Sequence, residues 1–464
     1  MRAVPGLPRF LRGLPLLLVP LLVSPTPAQG SVAQDQGEPR TARRPNVVVL
    51  LADDTGYADF SFRGSDSFLT PRIDSIARAG VRCTDAYVTS SVCSPSRAGL
   101  LTGRYQQRFG HEFNLPHKYS RKDGLPVGER TLADLLRDQG YRTLGVGKWH
   151  LGYTEPFHPL ARGFDHYFGF LKGSRSYRPL PAERVDRMNR LFLDREAVPE
   201  EFDYLTDEFG ERAAGFIEAH HAEPFFLYVA FSAVHVPLQV DPAVLDRVTG
   251  LQGKRQKLAA MTISLDQAVG RVLDALDEHD LTRDTLLIFL NDNGGAEISR
   301  ADNAPFRGHK GTPFEGGLRV PFLVQWPGVL PAGGIYEQPV SSLDLVPTAL
   351  AAAGATSVPR DLDGVNLLPY LTGEFEGAPH DALYWRHGLD WAVRRGQWKL
   401  VGLAGQEPQL FELTTDPGES SDRAAEHPEL VAELVRAHAA WSAGLAEPAW
   451  RERIIDEQGA GDDK

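Results

Sequence analysis

The segment from Val47 to Ala52 constrains the fold more than any other, because every residue in it is apolar. A strand with one solvent face alternates polar and apolar residues, whereas an unbroken apolar run is typical of a strand buried on both faces of a parallel sheet. The run ends at Asp53 and Asp54. We therefore predict a buried parallel strand that places two carboxylates at its carboxyl end.

Further strands are predicted later in the chain, at residues 141–146, 225–231 and 285–290. Helical segments are predicted between the strands, at residues 71–79, 131–139 and 257–278. Alternating strands and helices predict an α/β fold, with a large, mostly parallel sheet and helices on both faces. Ligands bind at the carboxyl ends of such strands, so the polar residues that follow them are expected to share one site. These residues are Asp53, Asp54, Lys148, His150, His235, Asp292 and Asn293.

The pattern changes after Pro369, where short apolar runs alternate with turns and one helix follows near residue 428. This pattern favours a small antiparallel sheet with one helix. We therefore expect a catalytic α/β domain at residues 45–369 and a smaller α+β subdomain at residues 370–464.

The N-terminus has the composition of a secretory signal peptide. Three arginines precede an apolar run at residues 14–23, and small residues lead up to Ala28. The run contains prolines and is too short to cross a hydrocarbon core of about 30 Å. We expect a signal peptide at residues 1–28, cleavage near Ala28, a polar leader at residues 29–44, and export to the periplasm or the extracellular space. No membrane span is expected in the mature form.

Charge and cysteine content exclude other classes. The formal net charge is −12, which argues against a general nucleic-acid binder because such proteins carry basic surfaces. The two cysteines, Cys83 and Cys93, cannot form a disulfide scaffold. In an oxidising compartment they could form one bridge, unless Cys93 serves another purpose.

The segment Cys93-Ser94-Pro95-Ser96-Arg97 resembles the signature of the type I sulfatases. In that family the cysteine is oxidised after translation to formylglycine, an aldehyde whose hydrate is the nucleophile. Other segments match the family in its order along the chain, and they are Asp53-Asp54, Gly147-Lys148-Trp149-His150, His235-Val236-Pro237, Asp292-Asn293-Gly294-Gly295, Arg307-Gly308-His309-Lys310-Gly311 and Glu315-Gly316-Gly317. The resemblance covers nearly all of the mature chain. It implies an alkaline-phosphatase-like fold and a sulfuric ester hydrolase similar to arylsulfatases and N-acetylgalactosamine sulfatases.

Oxygen donors dominate the expected metal site. Asp53, Asp54, Asp292 and Asn293 suit a hard divalent cation such as Ca²⁺, with Mg²⁺ possible, better than zinc. The resemblance implies that these four residues bind one cation and that the modified Cys93 completes the shell.

The resemblance also implies catalytic residues, namely Cys93, Arg97, Lys148, His150, His235 and Lys310. The anionic oxygens of a sulfate ester repel a nucleophile, so cationic side chains are needed to neutralise them. Pro95 can open a helix whose amide dipoles favour negative charge near Cys93. A formylglycine-generating enzyme is then a required partner during maturation.

The substrate is expected to be a sulfated carbohydrate or an aryl sulfate. The segment with Arg108 and His111 looks like one found in carbohydrate sulfatases, and Arg175 and Trp385 are candidates for the rim of the site. Packing explains the aromatic residues Tyr105 and Phe109 of this segment equally well.

Two other functions remain open. One is a phosphodiesterase or phosphonate monoester hydrolase of the alkaline phosphatase superfamily. The other is a sulfated-glycan binder without turnover, which follows if Cys93 is never modified. The sequence leaves the oligomeric state open.

Overall fold

The computed structural model describes residues 43–116 and 120–450. The predicted signal peptide, and the predicted polar leader up to residue 42, lie outside the described residues. The described residues after Ala42 belong to one compact unit. Among them, no helix has both the length and the apolar character needed to cross a membrane.

The strands and helices largely follow the predicted segments. The strands are β1 (Asn46–Ala52), β2 (Val81–Cys83), β3 (Ala86–Tyr87), β4 (Arg142–Lys148), β5 (His166–Phe170), β6 (Phe192–Leu193), β7 (Glu196–Ala197), β8 (Phe225–Ala230), β9 (Thr285–Asn291), β10 (Phe322–Gln325), β11 (Gly334–Tyr336), β12 (Val340–Ser341), β13 (Leu383–His387), β14 (Asp390–Arg395), β15 (Trp398–Gly402) and β16 (Gln409–Glu412). The α-helices are α1 (Pro71–Ala79), α2 (Cys93–Thr102), α3 (Leu132–Asp138), α4 (Leu205–His220), α5 (Pro242–Leu245), α6 (Gly253–Glu278), α7 (Glu315–Leu318), α8 (Leu345–Ala352), α9 (Leu368–Leu371) and α10 (Pro428–Ser442).

The main sheet of the described residues has ten strands in the order β11-β2-β10-β9-β1-β8-β4-β5-β6-β7. The five central strands, from β9 to β5, all pair in parallel. Antiparallel pairs flank them, between β10 and β9 on one side and between β5 and β6 on the other. The expected mostly parallel sheet is confirmed, with a mixed character towards its edges.

Each face of this sheet has its own apolar core. Val47 and Val49 of β1 belong to one core, together with residues of α2, α3 and α8. Val48 and Leu50 belong to the other core, together with residues of α1, α4 and α6. Because both faces are covered by helices, every residue of β1 is buried, which explains the unbroken apolar run.

The C-terminal strands β13 to β16 form an antiparallel sheet in chain order, as the sequence predicts. On one side, Leu434 of α10 packs against Val393, Leu400 and Leu410. On the other side, Trp385 and its neighbours pack against Tyr87, Phe314 and Leu318 of the main part of the chain. The boundary predicted after residue 369 falls within α9.

Cys83 and Cys93 are both buried and both free. The bridge that the composition left open is therefore absent, and the thiol at position 93 remains available for other chemistry.

Candidate active site

Acidic side chains follow two neighbouring strands at the same edge of the sheet. Asp53 and Asp54 follow β1, and Asp292 and Asn293 follow β9. Parallel pairing sets Ala52 opposite Asn291, and the amide of Asp292 donates to the carbonyl of Ala52 at 3.0 Å. The two pairs therefore lie side by side, and all four side chains are buried.

The turns after these strands need unusual backbone geometry. Asp54 adopts a left-handed conformation with φ 62°, and its carboxylate accepts a hydrogen bond from Asn293 Nδ2 at 2.8 Å. A Cβ atom on Gly294 would lie 1.9 Å from the carbonyl oxygen of Gly316. Glycine at position 294 therefore lets the loop that carries Lys310 approach the strand ends closely.

Cys93 is the first residue of α2. Its Sγ lies 3.6 Å from Asp53 Oδ1 and 3.2 Å from Lys310 Nζ. Burial raises the pKa of the thiol to about 12, although the charges of Lys148 and Lys310 oppose this rise. An unmodified Cys93 is therefore a protonated thiol at neutral pH, and hence a poor nucleophile.

Arg97 and Lys148 form ion pairs with the carboxylates of Asp292 and Asp53 close to Cys93. Lys148, the last residue of β4, donates to Asp53 Oδ2 at 2.5 Å. Arg97, one turn into α2, donates from Nε to Asp292 Oδ2 at 2.9 Å and from Nη1 to the carbonyl of Lys148 at 3.1 Å. Both cations have fully buried side chains, so their charges act at low dielectric.

Lys310 approaches from the opposite side and contacts Asp54. Its Nζ lies 2.7 Å from Asp54 Oδ1, and 17% of its side chain is exposed. Burial would lower the pKa of Lys310, but the negative charges of Asp54, Asp53 and Asp292, with a contribution from Cys93, together outweigh burial and hold it well above its usual value. Burial likewise tends to raise the pKa of Asp54, but the charges of Lys310, His235 and Lys148 together lower it below its usual value.

His235 and His150 lie at the same strand ends. His235 Nε2 is 3.6 Å from Asp54 Oδ2, and its Nδ1 donates to the carbonyl of Val236 at 2.7 Å. Burial lowers the pKa of His235 to about 4. Burial and the nearby charges of Lys148 and Arg97 hold the pKa of His150 well below its usual value. Both imidazoles are therefore neutral at pH 7.

The backbone at His150 is left-handed, with φ 57°. An extended chain would point the side chains of Lys148 and His150 to the same face, and this backbone breaks that alternation. Its carbonyl accepts a hydrogen bond from Ser94 Oγ at 2.7 Å, and its Nδ1 has no partner among the described residues. Ser94 thus connects the start of α2 to the residues that follow β4. This role was not predicted from the sequence, and its only signal there is that Ser94 is next to Cys93.

The donor set fits a hard divalent cation. Ligand atoms of Asp53, Asp54, Cys93 and His235 lie within 4.8 Å of one another. Among the described residues, Asp292 Oδ1 and Asn293 Oδ1 are buried without a hydrogen-bond partner. Unpartnered buried oxygens are costly unless a cation or donor satisfies them, and carboxylate and amide oxygens are the ligands that Ca²⁺ and Mg²⁺ prefer. The residues present can therefore hold a metal ion.

Two residues suggested for substrate binding, Arg108 and His111, have partners within the fold. Arg108 forms a two-point ion pair with Asp363, with distances of 2.5 and 2.7 Å, and 31% of its side chain is exposed. His111 is fully buried, and its Nε2 lies 2.7 Å from Ser94 Oγ. Their part in substrate binding stays a prediction.

Arg175 and Trp385, the other two suggested residues, are also engaged and buried. Arg175 forms an ion pair with Glu200, and Trp385 Nε1 donates to the carbonyl of Val88 at 2.7 Å. Trp385 also borders a small cavity of about 10 Å³ together with Ser91, so it lies beside the segment that leads to Cys93.

The chain matches known sulfatases over most of its length. A family profile described as Sulfatase matches residues 45–355, and one described as N-sulphoglucosamine sulphohydrolase, C-terminal, matches residues 309–438. The chain is 36% identical over 378 residues to N-acetylgalactosamine-6-sulfatase of Mus musculus, covering 76% of this chain and 71% of that protein. It is 34% identical over 448 residues to arylsulfatase G of Rattus norvegicus, covering 83% of each.

A solved structure supports the same assignment. Ps i-CgsB in complex with k-i-k-neocarrahexaose superimposes with a TM-score of 0.85 at 36% identity, over 89% of this chain and 96% of that chain. The chain therefore belongs to the sulfatase family. It is an enzyme of the class that hydrolyses sulfuric esters, as its named relatives are.

Proposed function

We propose that this enzyme removes sulfate from a sulfated carbohydrate, using a formylglycine made from Cys93 and one divalent cation, preferably Ca²⁺. The position of Cys93 carries this proposal. The side chain lies at the first residue of α2, between Asp53 and Lys310. A hydrated aldehyde at this position would offer two hydroxyl groups, one to attack sulfur and one to expel the sulfate afterwards.

Asp53, Asp54, Asp292 and Asn293 would hold the cation, with residue 93 as a further ligand. The unpartnered oxygens of Asp292 and Asn293 support this set. Such a cation lowers the pKa of a bound hydroxyl and stabilises negative charge on sulfate oxygens. Ca²⁺ is favoured because it accepts many oxygen ligands in flexible geometry, whereas Mg²⁺ demands a stricter octahedron.

Three cations are placed to hold the sulfate group. Lys148, Lys310 and Arg97 surround residue 93, and each forms an ion pair with one of the carboxylates. Preorganised positive charge in a buried site stabilises the charge that develops in the transition state. Binding at these cations also fixes the sulfur in line with the attacking oxygen.

The histidines supply proton transfer. His235, near Lys310 and partly exposed on its side chain, is proposed to assist departure of the alcohol together with Lys310. His150, with an unpartnered Nδ1, is proposed to take the proton of the second hydroxyl as sulfate leaves. His150 is neutral near pH 7, as a base must be before it accepts a proton. For the departing alcohol the proton comes from the ammonium of Lys310, whose pKa is held high, with His235 beside it.

The substrate class rests on the relatives. One relative is named N-acetylgalactosamine-6-sulfatase, and one solved neighbour holds a neocarrahexaose. We propose a sulfated polysaccharide or glycosaminoglycan as the substrate, and an exported enzyme that is cleaved near Ala28. Fractionation of producing cells and N-terminal sequencing would test the export.

Peptide mass spectrometry tests the nucleophile directly. Conversion of Cys93 to formylglycine lowers the mass of its peptide by about 18 Da. If Cys93 is an unmodified thiol in every copy and the protein still hydrolyses sulfate esters, the proposal is refuted. If Cys93 is unmodified and the protein shows no turnover, the result matches a glycan binder instead.

The Cys93→Ser variant separates the two steps of the reaction. A single hydroxyl can be sulfated but cannot expel the sulfate, so a sulfated enzyme is expected to accumulate without turnover. Steady turnover by this variant would contradict the scheme. Parallel assays with aryl sulfate and aryl phosphodiester distinguish the sulfatase from a phosphodiesterase, and we expect the sulfate ester to be strongly preferred.

A further inference from the structure

Glu419, a buried acid far from the strand ends, has an unusual environment. It follows β16 in the C-terminal sheet, has no exposed surface, and adopts a left-handed conformation with φ 50°. A buried carboxylate on such a backbone is costly unless specific partners hold it. Its partners therefore indicate what it does.

Two of these partners are the ends of one loop. The backbone amide of Glu315 donates to Glu419 Oε2 at 2.7 Å. Arg307 Nη1 donates to the backbone carbonyl of Glu419 at 3.0 Å. The loop is closed by the amide of Gly316, which donates to the carbonyl of Arg307 at 2.7 Å.

Lys310 lies within this loop. Its backbone amide donates to the carbonyl of Gly295 at 3.1 Å, and its Nζ contacts Asp54 and Cys93. One residue of the segment that follows the C-terminal sheet therefore holds both ends of the loop that places a cation against Cys93.

A buried lysine strengthens the attachment. Lys399 Nζ lies 3.0 Å from Glu419 Oε1 and 2.9 Å from Glu315 Oε1, and all three side chains are buried. Lys399 thus bridges two carboxylates that would otherwise repel each other, and it fixes their spacing at low dielectric.

We propose that Glu419 is a positioning residue for catalysis, which acts by fixing both ends of the loop that carries Lys310. This inference rests on the role proposed above for Lys310. It gives the C-terminal sheet a part in the reaction, although none of its residues needs to touch the substrate. A purely structural Glu419 would affect stability alone, because the two parts of the chain already share an apolar interface.

The test compares Glu419→Ala with Leu434→Ala, at a temperature at which both variants are folded. Leu434 is fully buried in the same C-terminal region but packs on the face that α10 covers, so its truncation destabilises without contacting the loop. Rates on an aryl sulfate are divided by the converted fraction of Cys93, measured by mass spectrometry. We expect kcat to fall about tenfold or more for Glu419→Ala, since small misplacements of catalytic groups are costly, and to stay within twofold for Leu434→Ala. An unchanged kcat for Glu419→Ala would overturn the proposal.

A double-mutant cycle shows whether Glu419 acts through Lys310. In a Lys310→Ala background, Glu419→Ala should lower kcat less than about twofold further, because the group that it positions is already gone. Fully additive losses would overturn the proposal. If Glu419→Ala does not fold, Glu419→Asp replaces it with the same expected outcomes, because it keeps the charge but is too short to reach the Glu315 amide.

Hydrogen exchange separates this inference from the proposed function. If the wild-type enzyme hydrolyses no sulfate ester, the proposed function fails, yet the loop can still be measured. Glu419→Ala should then speed amide exchange in peptides from residues 307–316, whereas Leu434→Ala should leave it unchanged. Equal exchange in wild type and Glu419→Ala would overturn the positioning role independently of activity.

Discussion

The described part of the chain has two clusters of charged side chains, one at the strand ends and one beneath the C-terminal sheet, and each combines three carboxylates with three cations. The catalytic cluster combines the carboxylates Asp53, Asp54 and Asp292 with the cations Arg97, Lys148 and Lys310. The second, which we call the interface cluster, combines the carboxylates Asp85, Glu315 and Glu419 with the cations Arg319, Arg394 and Lys399. Both are largely buried, and in both the formal charges cancel.

The difference lies in which buried oxygens have a cation beside them. Asp292 Oδ1 and Asn293 Oδ1 have no hydrogen-bond partner among the described residues, and the side chains of His235 and Lys310 are each 17% exposed. Glu419 Oε1 of the interface cluster also lacks a hydrogen bond, but it lies 3.0 Å from Lys399 Nζ, and the carboxylates of this cluster pair with cations from other segments of the chain. The same set of charges therefore serves to bind a ligand in the catalytic cluster and to hold segments of the chain together in the interface cluster. With a divalent cation bound, the catalytic cluster would become positive and complement an anionic ester, despite the net charge of −12.

Removal of the metal should have the largest effect. Dialysis against a chelator is expected to abolish sulfate ester hydrolysis and to lower the melting temperature, because a ligand that binds only the native state stabilises it. Added Ca²⁺ should restore both. Full activity in a protein shown by elemental analysis to be metal-free would remove the main difference between the two clusters.

Lys399→Met should destabilise the fold strongly. The variant leaves Glu315 and Glu419 buried without their shared cation, and breaking a buried ion pair costs about 3–5 kcal/mol. The free energy of unfolding is measured by urea titration. Arg395→Ala is the matched control, since the Arg395–Glu433 pair is exposed on both side chains and should contribute only about 0–1 kcal/mol. Similar losses in both variants would contradict the cohesive role of the interface cluster.

Lys148→Ala tests the catalytic cluster in the same way. Removal of one preorganised donor to a developing oxyanion lowers kcat by about 10²- to 10³-fold. Steady-state kinetics on an aryl sulfate gives the value, and circular dichroism checks that the variant is folded. A loss below tenfold would mean that Lys148 serves only to neutralise Asp53.

Glu419→Gln should produce the smallest change, in the pH dependence of stability. Burial, followed by the charge of Glu315, raises the pKa of Glu419 to about 7 against the opposing effect of Lys399. The folded state then binds a proton that the unfolded state releases between its ordinary pKa of 4.5 and about 7. Stability from this group is therefore complete below pH 4.5 and is lost as the pH rises towards 7, with a slope of at most about 1.4 kcal/mol per pH unit.

Urea unfolding of wild type and Glu419→Gln across this pH range measures that slope. The variant should show a flatter profile between pH 4.5 and 7. Parallel profiles would mean that Glu419 stays ionised in the folded protein throughout, as Asp54 of the catalytic cluster does.

The two clusters also differ in how far the sequence predicts them. Asp53 directly follows an apolar run, and Asp292 follows another one after a single asparagine, so their meeting point is predicted from strand geometry alone. Glu315 and Glu419 are 104 residues apart, and neither lies beside a buried strand end in the active-site edge of the sheet. The contact between Glu315 and Glu419 depends on how the C-terminal sheet packs against the main part of the chain. No local pattern in the sequence predicts that packing.

The suggested substrate residues show the same limit. Arg108 has the right charge for a sulfated sugar, but its partner Asp363 is 255 residues away. The left-handed backbone of His150 is likewise not predicted by its neighbours in the sequence. Its imidazole packs closely against Gly173, where an added Cβ would lie 2.5 Å from Nε2, and that contact depends on the tertiary fold.

The burial of Cys93 has a consequence for biosynthesis. Pro95 and Arg97, which accompany Cys93 in the modification motif, are buried as well. A formylglycine-generating enzyme could therefore not bind this segment in the folded protein. Lys310, which covers the thiol, is 217 residues further along the chain, and ribosomes need about 10–40 seconds to add that length. If Cys93 is converted to formylglycine as proposed, the oxidation must take place before folding buries the thiol. A protein molecule that folds before it is modified keeps the Cys93 thiol and is inactive.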